Sequence, residues 1–370
     1  MTAAVIREAM NRIASEDLAD GARNLLVNCA GAKTGDTVLI VHEDPALGWY
    51  DIAAPKAVAD LARRLGMEVS LKMVGGPDKS GRLSDDVLAE MSQHDQTVFF
   101  ARIGDQGRFT IQHAGRPAIM SYAINADMLA SPFGRFDYQA FIDLKEAINR
   151  TLDEAEAIRI VCDEGTDLSG YSDKQDDGPE DVAVKRFPMG IYKPVSTTFF
   201  SGKVAITRYL TPTGSRSYQP ACLAIEGTVH AIVEGNRIVR FEGETEAVAA
   251  VQDHYARVAD AFGIEPMFVH SWHSGMHPAC AYPYPADENP DRWSNTVFPN
   301  PRLLHFHTCG AYPPGEICWM ILDALVEVDG TPLWNKGELN RNLNVEISSV
   351  FRHWPGLDAL FDHPSAAIGL

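Results

Sequence analysis

The sequence predicts an α/β N-terminal domain with a mainly parallel sheet, followed by an α+β C-terminal domain that carries a metal site. Three observations predict this. Strand and helix patterns alternate through the first half, a polar acid-rich stretch interrupts them, and histidines gather in the second half. The domains are placed at residues 1–165 and 166–370.

The first 18 residues read as an amphipathic helix, without the charged-then-apolar order of a signal peptide. Residues 36–42 form a β-branched run, and residues 53–65 repeat apolar positions at helical spacing and stop at Gly66. Residues 67–73 alternate with period two, 85–93 read as a helix, and 97–101 are a third apolar strand. A helix over 141–157 and a strand over 158–162 continue the series. Residues 163–188, with the acid cluster 175–181, read as a solvated junction loop. Beyond it, residues 228–241 read as a hairpin turning at Gly235 and Asn236, and 245–262 as a helix ending at Gly263. Strands follow at 303–308 and 321–328, the latter turning at Asp329 and Gly330.

Composition narrows the function. The 370 residues carry 32 basic against 50 acidic side chains, a formal net charge of -18. Such a surface repels phosphate backbones and anionic lipid, and no basic run offsets it, so neither nucleic acid nor membrane is an expected partner. No apolar stretch is long enough for a transmembrane helix. The six cysteines show no CxxC spacing, which fits reduced thiols in a cytoplasmic protein.

Five of the 12 histidines fall between positions 270 and 307: His270, His273, His277, His305 and His307. Uniform density would put about one there. Imidazoles are ligands for iron, zinc, copper and nickel, and three with an open position make a common catalytic arrangement. In a strand, His305 and His307 share one face about 6–7 Å apart. His273 and His277 have helical spacing, but Gly275 and Pro278 favour a loop. Aromatic residues around the cluster, Trp272 and Trp319 among them, are candidate walls of a substrate pocket. Arg102 and Asp105 follow the third strand on the carboxyl side of the sheet, where α/β proteins bind ligands, and are candidate substrate contacts. Cys318, and more weakly Cys309, is a candidate nucleophile.

Several motifs resemble a known family. Residues 33–40 (KTGDTVLI) are similar to an "lkpGe.VlI" opening, and residues 305–312 (HFHTCGAY) to "HiAlGxaY". Residues 315–330 are similar to an "HxDxmi…vDG" block, and 275–278 (GMHP) to "GxNP". These belong to the M29 metallo-aminopeptidase superfamily (aminopeptidase T/S type), and the chain resembles more nearly its non-peptidase branch of the 2,5-dihydroxypyridine 5,6-dioxygenase type. The resemblance implies a homodimer or larger homo-oligomer acting on a small molecule. It places His305 and Tyr312 at the metal, with Tyr312 as a hydrogen-bond donor.

The departures from the family redirect the expectation. Glu316-Ile-Cys318 stands where the family has HxD, Ser215 where it has a ligand glutamate, and His270 or Ser271 near its other carboxylate. The expected centre is therefore a single, histidine-rich ion. One reading is a ferrous dioxygenase that cleaves a hydroxylated aromatic or heteroaromatic ring, with Glu316 as fourth ligand or acid/base. The runner-up is a zinc or manganese hydrolase with Glu316 as general base. A non-catalytic metal carrier is the third.

Overall fold

The computed structural model describes residues 14–106, 118–173, 184–214, 216–311 and 315–370. Most of the opening helix, the acid cluster 175–181, Ser215 and Tyr312 lie outside the described residues. The chain divides into two compact units: Met1–Phe141 with Asp181–Met189, and Ile142–Glu180 with Gly190–Leu370.

In the first unit, β1 (Thr37–Glu43), α1 (Ala53–Arg64), β2 (Glu68–Val74), α2 (Asp85–Ser92), β3 (Gln96–Phe100) and β4 (Ala118–Ser121) follow in order. All strand pairs are parallel, in the order β2-β1-β3-β4, and a later strand adds beyond β4. Leu39, Ile40 and Val41 are buried without alternation, as are Val98, Phe99 and Phe100. That is the pattern of strands covered on both faces, and it explains why these runs are uniformly apolar. The edge strand β2 has no fully buried position and leaves Glu68, Leu71 and Met73 exposed. On α1, Val58, Ala59 and Ala62 are buried, and the helix packs on β1 and β2.

The helix α3 (Tyr138–Glu154) leads into β5 (Ile158–Val161) and β6 (Asp167–Gly170). Here the expectation is corrected. The strand after α3 does not extend the parallel sheet but pairs antiparallel with β6 and with a later hairpin strand. Its alternation, with Ile158 and Ile160 buried and Arg159 exposed, suits a sheet with one wet face. The chain next supplies β7 (Lys185–Phe187), which is the last strand of the parallel sheet.

The second unit holds β8 (Val195–Ser196), β9 (Ser201–Pro212), β10 (Leu223–Glu234), β11 (Arg237–Glu242), α4 (Thr245–Phe262), β12 (Val269–Ser274), α5 (Pro290–Val297), β13 (Leu303–Thr308), β14 (Ile317–Leu322), β15 (Leu325–Val328), β16 (Thr331–Asn335), β17 (Glu338–Leu339), α6 (Val345–His353) and α7 (Leu357–Asp362). With β5 and β6, the strands form a 12-stranded sheet, with order β17-β16-β15-β5-β6-β9-β14-β13-β12-β8, and β10 and β11 joined through β9. The single strand expected over 321–328 is two. Asp323 breaks it with a left-handed φ of 53° and accepts a bidentate bond from Arg302. The hairpin turns at Gly235 and Gly330 form as expected.

Between β8 and α5, the two faces of this sheet differ. On one, Trp272, Phe306 and Trp319 are fully buried, and Trp319 Nε1 donates to Tyr255 OH of α4 at 2.6 Å. On the other, α5 covers Leu303, Cys318 and Met320 with Trp293 and Val297. Among the described residues no helix is long and apolar enough to cross a membrane.

Gly275 ends β12 and fixes where its side chains aim. Its N–H donates to Leu303 O at 3.0 Å, and a Cβ there would fall on the backbone of Pro299 and Asn300. Gly275→Ala is expected to cost about 2–3 kcal/mol in urea unfolding, because the colliding atoms are backbone and cannot rotate away. Gly75→Ala, with open space around its Cβ, is the control and should be near neutral.

Candidate metal centre

The site follows from the register of two strands. β12 pairs antiparallel with β13 so that His273 lies opposite His305 and Ser271 opposite His307. Directly opposed residues of an antiparallel pair project to the same face, and residues two apart share it. His273, His305 and His307 therefore leave one face of the sheet together. β14 extends that face, with Cys318 opposite His307 and Met320 opposite His305.

The three imidazoles are buried and converge, with candidate ligand atoms all within 4.8 Å of one another. His273 Nε2 lies 2.9 Å from His307 Nε2, and the His273 and His305 ring centroids are 4.0 Å apart. His273 Nδ1 lies 3.2 Å from the carbonyl oxygen of Tyr192. A carbonyl only accepts, so Nδ1 carries the proton and Nε2 turns a lone pair inward. Such a backbone acceptor behind a histidine is the usual device for fixing a ligand tautomer. Tyr192 is itself held, with its hydroxyl accepting from Ser274 N at 3.0 Å and 3.1 Å from Ser274 Oγ. Burial pushes its phenol up to about 12, so it stays protonated.

This donor set fits a divalent first-row ion. Imidazole nitrogens about 2.0–2.1 Å from one ion stand roughly 3–3.4 Å apart; His273 Nε2 and His307 Nε2 are 2.9 Å apart, and a nitrogen of His305 lies within 4.8 Å of both ligand atoms. Among the described residues, no carboxylate or thiolate belongs to the group. His305, His307 and His273 would hold the ion. Phe298, edge-on to the His305 ring at 5.9 Å, closes one side with apolar surface.

The other expected ligands lie elsewhere. His270 is only half-buried, with Nδ1 2.9 Å from Ser271 Oγ. His277 is fully buried in the loop after Gly275, where its backbone N–H donates to Pro299 O. Neither joins the three. The loop expected for His273 is corrected too, since it lies on a strand.

Trp272 and Trp319 are also corrected. Each is one residue out of phase with the histidines and projects to the opposite face, fully buried against Phe200 and Phe306. They are core, not pocket wall. Arg102 and Asp105 belong to the first unit and have internal partners. Arg102 Nη2 donates to fully buried Glu43 at 2.8 Å, with its guanidinium over Trp49, and Asp105 accepts from Tyr122 OH at 2.6 Å.

Cys318 shares the imidazole face but sits in the apolar cluster under α5, and desolvation pushes its thiol up to about 12. Cys309, with a left-handed φ of 62°, is likewise pushed up to about 12 by burial. A thiol so protonated is a poor nucleophile, which argues against the catalytic role expected for Cys318.

Glu316 immediately precedes β14 and continues its ladder. Its N–H donates to Thr308 O, and its carbonyl accepts from Thr213 N and Tyr218 OH. Alternation aligns Glu316 with Cys318 and Met320 on the histidine side of the sheet. Desolvation raises its carboxyl above the ordinary range, while Arg216, Nε to Oε2 at 3.1 Å, partly opposes this. The sequence signalled neither Arg216 nor Tyr192. Each is a lone polar residue in a loop, and only the fold brings Tyr192 against His273 and Arg216 against Glu316.

No family model matches the chain, and no curated protein matches it. Among solved structures, the chain is similar to 2,5-dihydroxypyridine dioxygenase from Pseudomonas putida KT2440, with 12% identity, a TM-score of 0.58, and coverage of 89% of this chain and 98% of that one. AmpT from Thermus thermophilus is also similar, with 12% identity, a TM-score of 0.49, and coverage of 88% and 99%. The resemblance carried by the short motifs thus extends to the fold.

Thiol alkylation checks the electrostatic account. At pH 8, a thiol with a pKa of about 12 is ionised to ~10⁻⁴. Iodoacetamide should therefore leave Cys309 and Cys318 unmodified in the native protein and label both after unfolding, as read by peptide mass spectrometry. Rapid native labelling of Cys318 would restore the nucleophile reading.

Proposed function

We propose that the chain is a mononuclear metal enzyme, with His273, His305 and His307 as ligands, that uses dioxygen to cleave a hydroxylated aromatic or heteroaromatic ring. The observation that carries the proposal is the convergence of three buried imidazoles, without an acidic partner in the group among the described residues. The dioxygenase named by the similar fold supports the choice of reaction. A ferrous ion held there by His273, His305 and His307 would supply the redox chemistry with dioxygen that side chains lack.

The chain's own groups do the rest. His273 presents Nε2 as a fixed lone pair because Tyr192 O holds the proton on Nδ1. Met320, Phe298 and Trp293 line or cover the same face and exclude water from the reacting ring. Glu316 takes the proton of a substrate hydroxyl on a carboxylate oxygen, a task suited to a carboxyl with a raised pKa. Arg216 keeps that carboxylate oriented and limits how far its pKa rises.

The same raised Glu316 favours one second reading, a zinc or manganese hydrolase in which Glu316 is the general base. The two part on redox chemistry. Protein prepared anaerobically should contain about one iron per chain and consume oxygen with a dihydroxylated aromatic substrate. His305→Ala should lose the iron, and at least about a hundredfold in activity, with an unchanged far-ultraviolet circular dichroism spectrum. Full turnover with zinc under argon would establish the hydrolase instead. Stoichiometric metal binding without turnover of either substrate type would establish a carrier.

The pH profile tests Glu316 separately. A base must be deprotonated, so activity should fall as pH drops through its raised pKa. The acid limb should lie above the ordinary glutamate range. Arg216→Met removes the cation that lowers this pKa, so the limb should move higher still, and Glu316→Gln should abolish it along with most of the activity.

A further inference from the structure

An open cleft of about 600 Å³ lies in the second unit, lined by Arg208, Tyr209, Ala224, Ile225, Arg302 and Leu322 among others. Its size is within the range of small-molecule sites. Tyr209 and Leu322 form an apolar floor and pack against the cluster that contains Trp293 and Met320. Arg208 and Arg302 line the same cleft from different parts of the chain.

Arg208 reaches it through an unusual backbone. Its φ is 64°, a left-handed value that is costly for a residue with a Cβ. It sits where the β9–β10 register jumps: Arg208 is opposite Ile225 and Thr207 opposite Thr228, so Glu226 and Gly227 bulge out between them. Bulges re-aim side chains, and they gather at binding sites.

Neither arginine is fully used by the protein. Arg208 gives Nη2 to Glu164 at 2.7 Å and Nη1 to Thr207 Oγ1 at 2.8 Å. Arg302 gives Nε and Nη2 to Asp323 at 2.7 and 2.6 Å. Among the described residues, Arg208 Nε and Arg302 Nη1 have no protein partner. The paired carboxylates orient the forks and cancel one charge each, leaving directed donors without a strong net field.

We infer that this cleft is a second small-molecule site, separate from the imidazoles, for a monoanionic carboxylate with a flat apolar body. The carboxylate oxygens take the spare N–H groups of Arg208 and Arg302, and the body lies on Tyr209 and Leu322. A multiply charged anion is disfavoured, because Glu164 and Asp323 stand behind the two guanidinium groups.

Calorimetric titration with 2-naphthoate and its neutral twin 2-naphthamide tests this. Naphthoate should bind once per chain and about tenfold or more tighter than naphthamide. Arg208→Gln and Arg302→Gln should each weaken naphthoate about tenfold and leave naphthamide unchanged. Ala224→Trp at an exposed position fills the cleft while sparing both ion pairs, and should abolish binding with the melting temperature retained. Binding should persist in His305→Ala. Equal affinity for the two probes, binding that survives Ala224→Trp, or loss of binding in His305→Ala would each overturn the proposal, the last by assigning the probe to the metal centre.

Discussion

The register of β12 against β13 is the constraint on which the site depends. Pairing His273 with His305 brings the two imidazoles together across a strand gap, and the period of two adds His307. A slip of one residue would turn Trp272 to the face His273 occupies and put the imidazole into the aromatic layer. Two features resist that slip. Trp272, Phe306 and Trp319 fill the opposite face, and Gly275 fits a backbone approach that admits no other side chain without movement.

The division of one sheet into an aromatic face and an imidazole face also explains what the neighbouring residues can do. Cys318 lies beside His307 and would be a tempting nucleophile by proximity. Its environment is the apolar cluster under α5, and that burial keeps the thiol protonated. Glu316, two residues earlier on the same strand line, is also desolvated but has Arg216 against it. The contrast is one of electrostatics: a buried acid with a cation remains able to exchange a proton, while a buried thiol without one is inert.

Much of this was legible in the sequence, and the rest was hidden for identifiable reasons. The HxH spacing in a short apolar run gave the His305 and His307 pair, because strand periodicity is local. Gly275 and Pro278 suggested a loop for His273, but those residues lie just beyond the strand end, and the pairing that extends β12 is non-local. The five clustered histidines could not be sorted by position alone: His277 is buried as deeply as the three, and only strand pairing separates them. Trp272 and Trp319 were near the histidines in sequence, yet odd and even positions part company across a sheet. The parallel order of β1, β2 and β3 was readable from alternating strand and helix patterns. The transfer of β5 into the antiparallel sheet was not: its local partner β6 lies in the polar stretch that reads as a loop, and its other partner β15 lies more than a hundred residues away.

X-ray absorption at the edge of the bound metal addresses the central claim directly. The expected spectrum has a first shell of nitrogen and oxygen with outer-shell scattering from three imidazoles and no sulfur, and shows two imidazoles in a His273→Ala variant that keeps some metal. A shell with one imidazole or none, or with a sulfur ligand from Cys318, would contradict it.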